Sequence, residues 1–363
     1  MTIDTERASA AVEAIKLGEM VVVTDDNDRE NEGDLVLAAA HATPEKLAFI
    51  IRHTSGIVCA PVTAEIADRL KLSPMVPRND APLETAFTVS VDVRHGLTTG
   101  ISAEERSNTI RALANGNISA DDFVRPGHVF PLIAREGGVL TRSGHTEAAV
   151  DLCQLAGLEP VGVVCELVND DGSVVRGVAV EAFAKKYGLK SVSVAEIIAL
   201  RQKREQFVHR VVERQITTPF GKANAITYST PWDPMQHLAI VFGEIGDGES
   251  VPVRIHRERI IDDLFGTKPG IEKALEKLAA EGRGVAIYLR EGAVGVAAAH
   301  EPQPEHHDSA MQRSEEWRDI GLGAQILRDL GVHSIRLYAA RELRYVGLEG
   351  FGIVIEATER LGE

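Results

Sequence analysis

The chain is short of cysteine and aromatic residues, carries no excess of positive charge and contains no long hydrophobic run. Three cysteines, Cys59, Cys153 and Cys165, are spread over 363 residues. An odd, scattered set excludes a disulfide framework and points to a reducing cytoplasm. None lies beyond Cys165. Lysine and arginine number 39 against 54 acidic residues, a net charge of −15. That excludes a general nucleic-acid binder, which needs a basic face. It does not exclude a phosphorylated substrate, because a local arginine cluster overrides the net field. No apolar run approaches the ~20 residues of a membrane span, and the N-terminus has no signal-peptide pattern. It reads instead as an amphipathic helix. With 44% hydrophobic and 5% aromatic residues, the composition suits a soluble α/β protein. The two halves show no internal repeat.

The length predicts two domains. Residues 5–18 read as a helix ended by Gly18. MVVVTD and DLVLAAA read as strands on either side of an acidic loop. TPEKLAFIIRH is a helix with Thr43 as N-cap and Pro44 at its first position. GIVCAPV is a strand, and TAFTVSVDV alternates like one. GLTTG is a turn before the helix SAEERSNTIRALAN. VGVVCELVND and VVRGVAV read as strands flanking an Asp171–Gly172 hairpin signal. A charged helix end near residue 206 places the boundary there, giving domains 1–206 and 207–363. Beyond it the α/β pattern restarts.

Residues 125–152, RPGHVFPLIAREGGVLTRSGHTEAAVDL, hold the densest chemistry. VFPLIA reads as a strand, GGVL as a turn into another, and the residues after Thr146 as a helix. Arg142, Ser143, Gly144, His145 and Thr146 therefore form a loop opening a helix N-terminus. Free N–H groups and the helix dipole favour an anion there, and an arginine fork suits phosphate oxygens. Gly144 permits close approach of the backbone. A phosphate-and-metal site and a plain helix start with Thr146 as N-cap both fit this loop. His128 follows a rigid Arg125-Pro126-Gly127 loop, where an imidazole suits proton transfer.

The loop DDNDRENEGD holds Asp28, Arg29, Glu30, Glu32 and Asp34. So many carboxylates repel one another unless a cation or substrate sits among them. Mg²⁺ takes one or two carboxylates and keeps several waters; Glu30 can supply one oxygen, and Asp34 can reach a sugar hydroxyl. The competing reading is a solvated acidic turn. Glu166 lies in an apolar strand, where a carboxylate is costly unless paired or functional. Cys59 and Cys165 read as small core residues.

Taken together, DDNDRENEGDLV, HTSGIVCAP, TTGISAEERSNTIRAL and the 125–152 stretch closely resemble the 3,4-dihydroxy-2-butanone 4-phosphate synthase family, over roughly the first 200 residues. That resemblance implies an α/β fold of α+β type, a mixed sheet with surrounding helices. It also implies conversion of D-ribulose 5-phosphate to L-3,4-dihydroxy-2-butanone 4-phosphate and formate, with Mg²⁺ (or Mn²⁺), in riboflavin biosynthesis. Glu30 and His145 look like metal ligands. Arg29, Glu30, Asp34 and Glu166, with Arg142, Ser143, Gly144, His145 and Thr146, look like the substrate site. His128 and Glu166 look like the catalytic pair, and Thr98 and Thr99 like weaker substrate contacts. The family implies a homodimer whose sites form at the subunit contact.

The second half resembles GTP cyclohydrolase II in outline, through TPFG at 218–221, VPVRIH at 251–256, AEGRGVAIYLREG at 280–292 and LRDLGVHSIRLYA at 327–339. That family holds zinc with three cysteines. Arg259, Thr267 and Pro269 stand at those places, and Ala293 stands where an arginine is expected. Ala339, Ala340, Arg341 and Glu342 replace a TNNP run. Only Arg318–Asp319, with Glu316, resembles the remaining reaction region. His300, His306 and His307 read as part of a polar loop. The expectation is a second α/β domain that binds no zinc and has lost GTP ring opening; the alternative is a bifunctional enzyme.

Overall fold

The computed structural model describes residues 5–25, 30–232, 235–259, 263, 271–290, 321–339 and 353–361. Asp4–Leu200 and Arg201–Glu363 fall into separate compact units, and each is built on its own sheet.

In the first unit, helix α1 (Thr5–Lys16) leads into β1 (Val21–Thr24) and β2 (Gly33–Ala38). All six residues of β2 are buried, the mark of a strand covered on both faces. Helix α2 (Pro44–His53) starts as its sequence predicts, with the Thr43 hydroxyl accepting the Lys46 N–H. Strand β3 (Cys59–Val62) is followed by α3 (Ala64–Arg69), capped in the same way by Thr63. Then come β4 (Val91–Val93), α4 (Ala103–Leu113, capped by Ser102), β5 (Phe123–Ile133) and α5 (His145–Leu155). Strand β6 (Gly162–Glu166), α6 (Val178–Tyr187) and β7 (Lys190–Ser193) complete the set, and α7 (Val194–Arg204) carries the chain across the boundary at Leu200. The sheet order is β4-β5-β3-β6-β2-β1-β7, with parallel and antiparallel pairs mixed. Antiparallel β2 and β6 set Asp34 directly opposite Glu166.

The second unit opens with a hairpin, β8 (His209–Thr218) and β9 (Gly221–Ser229), then β10 (His237–Phe242) and β11 (Val251–Arg257). Helix α8 (Glu272–Glu281) ends at Gly282 in the left-handed region, the usual helix stop. Strand β12 (Gly284–Leu289), a helix over 321–329, β13 (Ser334–Ala339) and β14 (Val354–Arg360) follow. Its sheet order is β14-β13-β11-β12-β10-β9-β8. The fold class is thus the expected mixed α/β architecture in two domains.

Four local expectations give way. TAFTVSVDV forms only the short β4, its earlier part meeting β5 through an isolated Phe87–Leu132 bridge, and within β4 the pairing with β5 breaks register between Val91 and Asp92. Four residues of β5, Arg125 to His128, bulge out at that break, so RPGH is part of a strand rather than a loop. A Cβ at Gly127 would lie 2.0 Å from the Val91 carbonyl carbon; only glycine lets the bulge press on β4. GGVL forms a single 3₁₀ turn, Gly138–Leu140, whose Val139 N–H is bound by the Asp151 carboxylate at 2.9 Å. VVRGVAV does not extend as a strand: Gly177 has φ +56° and α6 begins at Val178.

Candidate active site

The acidic loop is folded around Asp25, whose two oxygens accept the Glu30 and Glu32 N–H groups at 2.9 and 3.0 Å. This turns Glu30 toward α5. Ligand atoms of Asp25, Glu30 and His145 lie within 4.8 Å of one another. His145 Nδ1 is 3.8 Å from Glu30 Oε2 and 4.0 Å from Asp34 Oδ2. Asp34 is buried, and its Oδ1 has no hydrogen-bond partner among the described residues. Burial pushes its carboxyl up to about 7; His145 opposes this, while Glu166, Glu30 and Asp25 add to it. A buried, unpartnered carboxylate oxygen among other carboxylates is expensive unless a cation or a hydroxyl meets it. The donor set, carboxylate oxygens with one imidazole, fits a divalent cation. Glu166 extends the cluster, its Oε2 accepting the Ser55 hydroxyl at 2.8 Å.

The Arg142 loop is held from below by the same helix. Arg142 Nη1 donates to Glu147 at 2.6 Å, and Nη2 to the Leu83 carbonyl at 3.0 Å and the Thr85 hydroxyl at 3.3 Å. Glu147 is 1% exposed and also accepts the Arg135 N–H. The N-cap of α5 is Gly144, without a side-chain bond, and not Thr146; the first-turn N–H groups therefore remain available to a ligand. A Cβ at Gly144 would come within 2.4 Å of Arg142 Nη1, so glycine is required for the arginine to fold over the helix start. Ser143 is half-buried and Thr146 buried at this same N-terminus.

His128 stands apart on β5, two strands from Glu166 in the sheet order, roughly 10 Å at ordinary strand spacing. Its partner is the buried Asp92: the His128 N–H donates to Oδ1 at 2.9 Å, and Nδ1 is 2.7 Å from Oδ2. Thr98 gives its N–H and hydroxyl to Glu105 at 2.7 and 2.8 Å, bonds that hold the Glu105 carboxyl well below its usual range. Thr99 lies 3.5 Å from the same carboxylate. Arg29 and Asp28 lie outside the described residues.

The structure thus brings together Glu30, Asp34, His145 and Glu166, with the Arg142–Thr146 loop at the same helix start. It adds two residues the sequence reading did not single out. Asp25 was hidden in an acidic run where every carboxylate looked alike. Asp92 was hidden in an apparent strand, and only the bulge turns it toward His128.

In the second unit, His256 Nε2 is 2.8 Å from Asp263 Oδ1, and Asp263 Oδ2 accepts the Tyr288 hydroxyl at 2.7 Å and the Arg259 N–H at 2.9 Å. Arg259 is one of the residues standing where zinc cysteines are expected. Thr267, Pro269, Ala293, Glu316, Arg318, Asp319, Ala340, Arg341, Glu342 and the three loop histidines lie outside the described residues.

Residues 9–200 match the 3,4-dihydroxy-2-butanone 4-phosphate synthase family, and residues 209–361 match GTP cyclohydrolase II. The chain belongs to the 3,4-dihydroxy-2-butanone 4-phosphate synthase family, as an enzyme fused to a GTP cyclohydrolase II domain. It is 48% identical to the riboflavin biosynthesis protein RibBA of Nocardia farcinica, over 97% of this chain and 89% of that protein. Two chloroplastic proteins of Arabidopsis thaliana are also similar. The monofunctional riboflavin biosynthesis protein RIBA 2 is 46% identical, over 95% of this chain and 75% of its own length. The bifunctional RIBA 1 is 47% identical, over 95% and 67%. Among solved structures, RibBX, a two-domain 3,4-dihydroxy-2-butanone 4-phosphate synthase from A. baumannii, superposes with a TM-score of 0.84 at 39% identity, covering 97% of this chain and 99% of that one. A 3,4-dihydroxy-2-butanone 4-phosphate synthase in complex with two magnesium ions superposes at 0.53 with 46% identity, covering 54% and 96%.

Proposed function

We propose that the first unit converts D-ribulose 5-phosphate to L-3,4-dihydroxy-2-butanone 4-phosphate and formate, a lyase step of riboflavin biosynthesis, using Mg²⁺ or Mn²⁺. The observation that carries this reading is the meeting of Asp25, Glu30 and His145 beside the buried Asp34. Asp25, Glu30 and His145 would hold the cation, whose positive charge stabilises the enediolate that forms when a proton leaves the carbon next to a carbonyl. Asp34 and Glu166, opposite each other across β2 and β6, bind sugar hydroxyls and carry protons. Arg142 and the α5 N-terminus grip the phosphate, with Ser143 to Thr146 completing the cradle, and this remote binding orients the reacting carbons; Arg29 joins the substrate residues on the motif resemblance alone. His128 is the further proton carrier. Its strand position, two strands from Glu166, supports a homodimer in which a second copy brings His128 to the site. Three buried free cysteines support a cytoplasmic setting, and no described helix is long and apolar enough to cross a membrane. Formate release from ribulose 5-phosphate should require a divalent cation and stop with EDTA; metal-independent release, or none, removes the reading.

The second unit has two readings. The names of relatives, the bifunctional RIBA 1 among them, favour retained GTP cyclohydrolase II activity. The chain's own donors favour its loss: no thiolate exists beyond Cys165 to hold zinc, and the Arg259 backbone is tied to Asp263. The proposal follows the donor set. Zinc content, together with GTP-dependent release of formate or pyrophosphate, decides between them; either signal restores the bifunctional reading.

A further inference from the structure

His128 sits in the β5 bulge opposite the register break in β4. One carboxylate grips it twice: Asp92 Oδ1 accepts its backbone N–H and Oδ2 meets ring Nδ1 at 2.7 Å. The Asp92 side chain is 4% exposed against 42% for His128. A carboxylate has only acceptors to offer, so the ring nitrogen facing it must carry the proton. In the neutral imidazole that leaves Nε2 as the acceptor. The backbone bond fixes the carboxylate's rotation, so the choice of nitrogen is built into the bulge.

A second feature closes the Nδ1 side. Gly100 has φ +82°, and a Cβ there would lie 2.2 Å from Asp92 Oδ2 and 2.6 Å from His128 Nδ1. The backbone of the TTGIS loop therefore lies directly over the pair. That loop is pinned in turn by Glu105, which accepts from Thr98 and from the Ser102 hydroxyl at 2.9 Å. With Nδ1 engaged and covered, Nε2 is the nitrogen left for a substrate.

We propose that Asp92 is a positioning residue that fixes His128 as the Nδ1–H tautomer, making Nε2 the atom that takes a proton from the sugar phosphate and later returns it. The proton taken at Nε2 gives an imidazolium whose charge faces the Asp92 carboxylate, and its return to a substrate atom restores the neutral ring, with no net change. This rests on the reading of His128 as a proton carrier given above. A tie that only fastens β4 to the bulge would not care which nitrogen is protonated, which separates the two roles.

The test is nitrogen NMR of the full-length protein labelled with ¹⁵N-histidine, at about pH 8.5, where an ordinary imidazole is neutral. His128→Gln identifies the signals. Nδ1 should be pyrrole-like and Nε2 pyridine-like in the unaltered protein. In Asp92→Asn the amide oxygen can keep the backbone bond while its NH₂ faces Nδ1, so the pattern should reverse. The kcat of that variant should fall on the order of 10²–10⁴-fold with KM little changed, and Asp92→Glu should restore the original pattern and part of kcat. A proton on Nε2 in the unaltered protein overturns the proposal even if the variants fail to fold. An unreversed pattern or full kcat in Asp92→Asn overturns it as well. Full formate release by His128→Gln removes the reading of His128 as a proton carrier, and with it the role given to Nε2, while the ring signals still judge the tautomer.

Discussion

Two aspartates, the buried Asp34 in one unit and the half-buried Asp263 in the other, face opposite electrostatic outcomes. Asp34 in the first unit is pushed up to about 7 by burial, with Glu166, Glu30 and Asp25 adding to the rise, and its Oδ1 has no hydrogen-bond partner among the described residues. Asp263 in the second unit is also raised by burial, but hydrogen bonds from Tyr288, the Arg259 N–H and His256 bring it below the ordinary range. The same residue type is thus left short of partners in one place and saturated in the other. Other charged groups of the second unit are closed in the same way: Asp329 accepts from Arg210 and Tyr228, and Glu359 from Lys277 and Arg336. A carboxylate that the protein does not satisfy is waiting for something the chain does not contain. One that is fully bonded is part of the scaffold.

The largest expected effect follows from that contrast. Glu30→Gln and His145→Ala each remove a ligand atom from the acidic cluster, and each should reduce cation-dependent formate release by at least about 10²-fold. Calorimetric titration with Mg²⁺ should show weakened binding in both. Asp263→Asn, in the saturated cluster, should leave both measurements unchanged. If it lowers formate release as much as Glu30→Gln does, the division into a reactive and a structural cluster is wrong.

The pH dependence of stability should separate the two aspartates by sign. In protein freed of cation, folded Asp34 keeps its proton up to about pH 7, whereas an unfolded aspartate has lost it by about pH 4. Between those values the native state binds more protons, so this group makes stability fall as pH rises. The loss is on the order of 4 kcal/mol at most by pH 8. Asp34→Asn should flatten that slope, and Mg²⁺ should raise the Tm more at pH 8 than at pH 5. Asp263 has the opposite sign: its depressed value stabilises the fold above the unfolded aspartate range and is lost as pH falls below about 4. Asp263→Asn should therefore reduce acid sensitivity while costing about 1–3 kcal/mol at neutral pH. Thermal melts of both variants in EDTA across that range give the two slopes directly; equal signs would falsify the comparison.

Much of the architecture was legible because it is local. Thr43, Thr63 and Ser102 cap the helices that follow them, and the apolar runs of β1, β2 and β6 are buried strands. The site residues Glu30, Asp34, His145 and Glu166 were legible through motif resemblance, and the fold then sets them side by side. What stayed hidden depends on distant pairing. The β5 bulge arises from a register break between segments some 30 residues apart in the chain, so the role of Asp92 does not show in either segment alone. Gly177 likewise looked like an ordinary small residue, and only its backbone angle explains it; Gly144 read as a point of close backbone approach, but the arginine folded beside it showed only in the fold.

The smallest effect is the most discriminating about the second unit. Tyr228 is fully buried, and its hydroxyl donates to Asp329 Oδ2 at 2.6 Å, an oxygen that also receives Arg210 Nε at 2.6 Å. Tyr228→Phe keeps the ring and its packing and removes one hydrogen bond. Asp329 remains bound by Arg210, so no charge is stranded, and the cost should be about 1 kcal/mol. Arg210 is 40% exposed on its side chain, so solvent screens its share, and Arg210→Lys should cost about as little. If the pair is simple scaffold, the double variant should lose more than the sum of the singles, because each single leaves Asp329 one strong donor and the double weakens both. Formate release should stay level in all three. A change in KM for the sugar phosphate in Tyr228→Phe would mean that the second unit's closed network is felt at the synthase site, and the module would then be regulatory rather than merely structural.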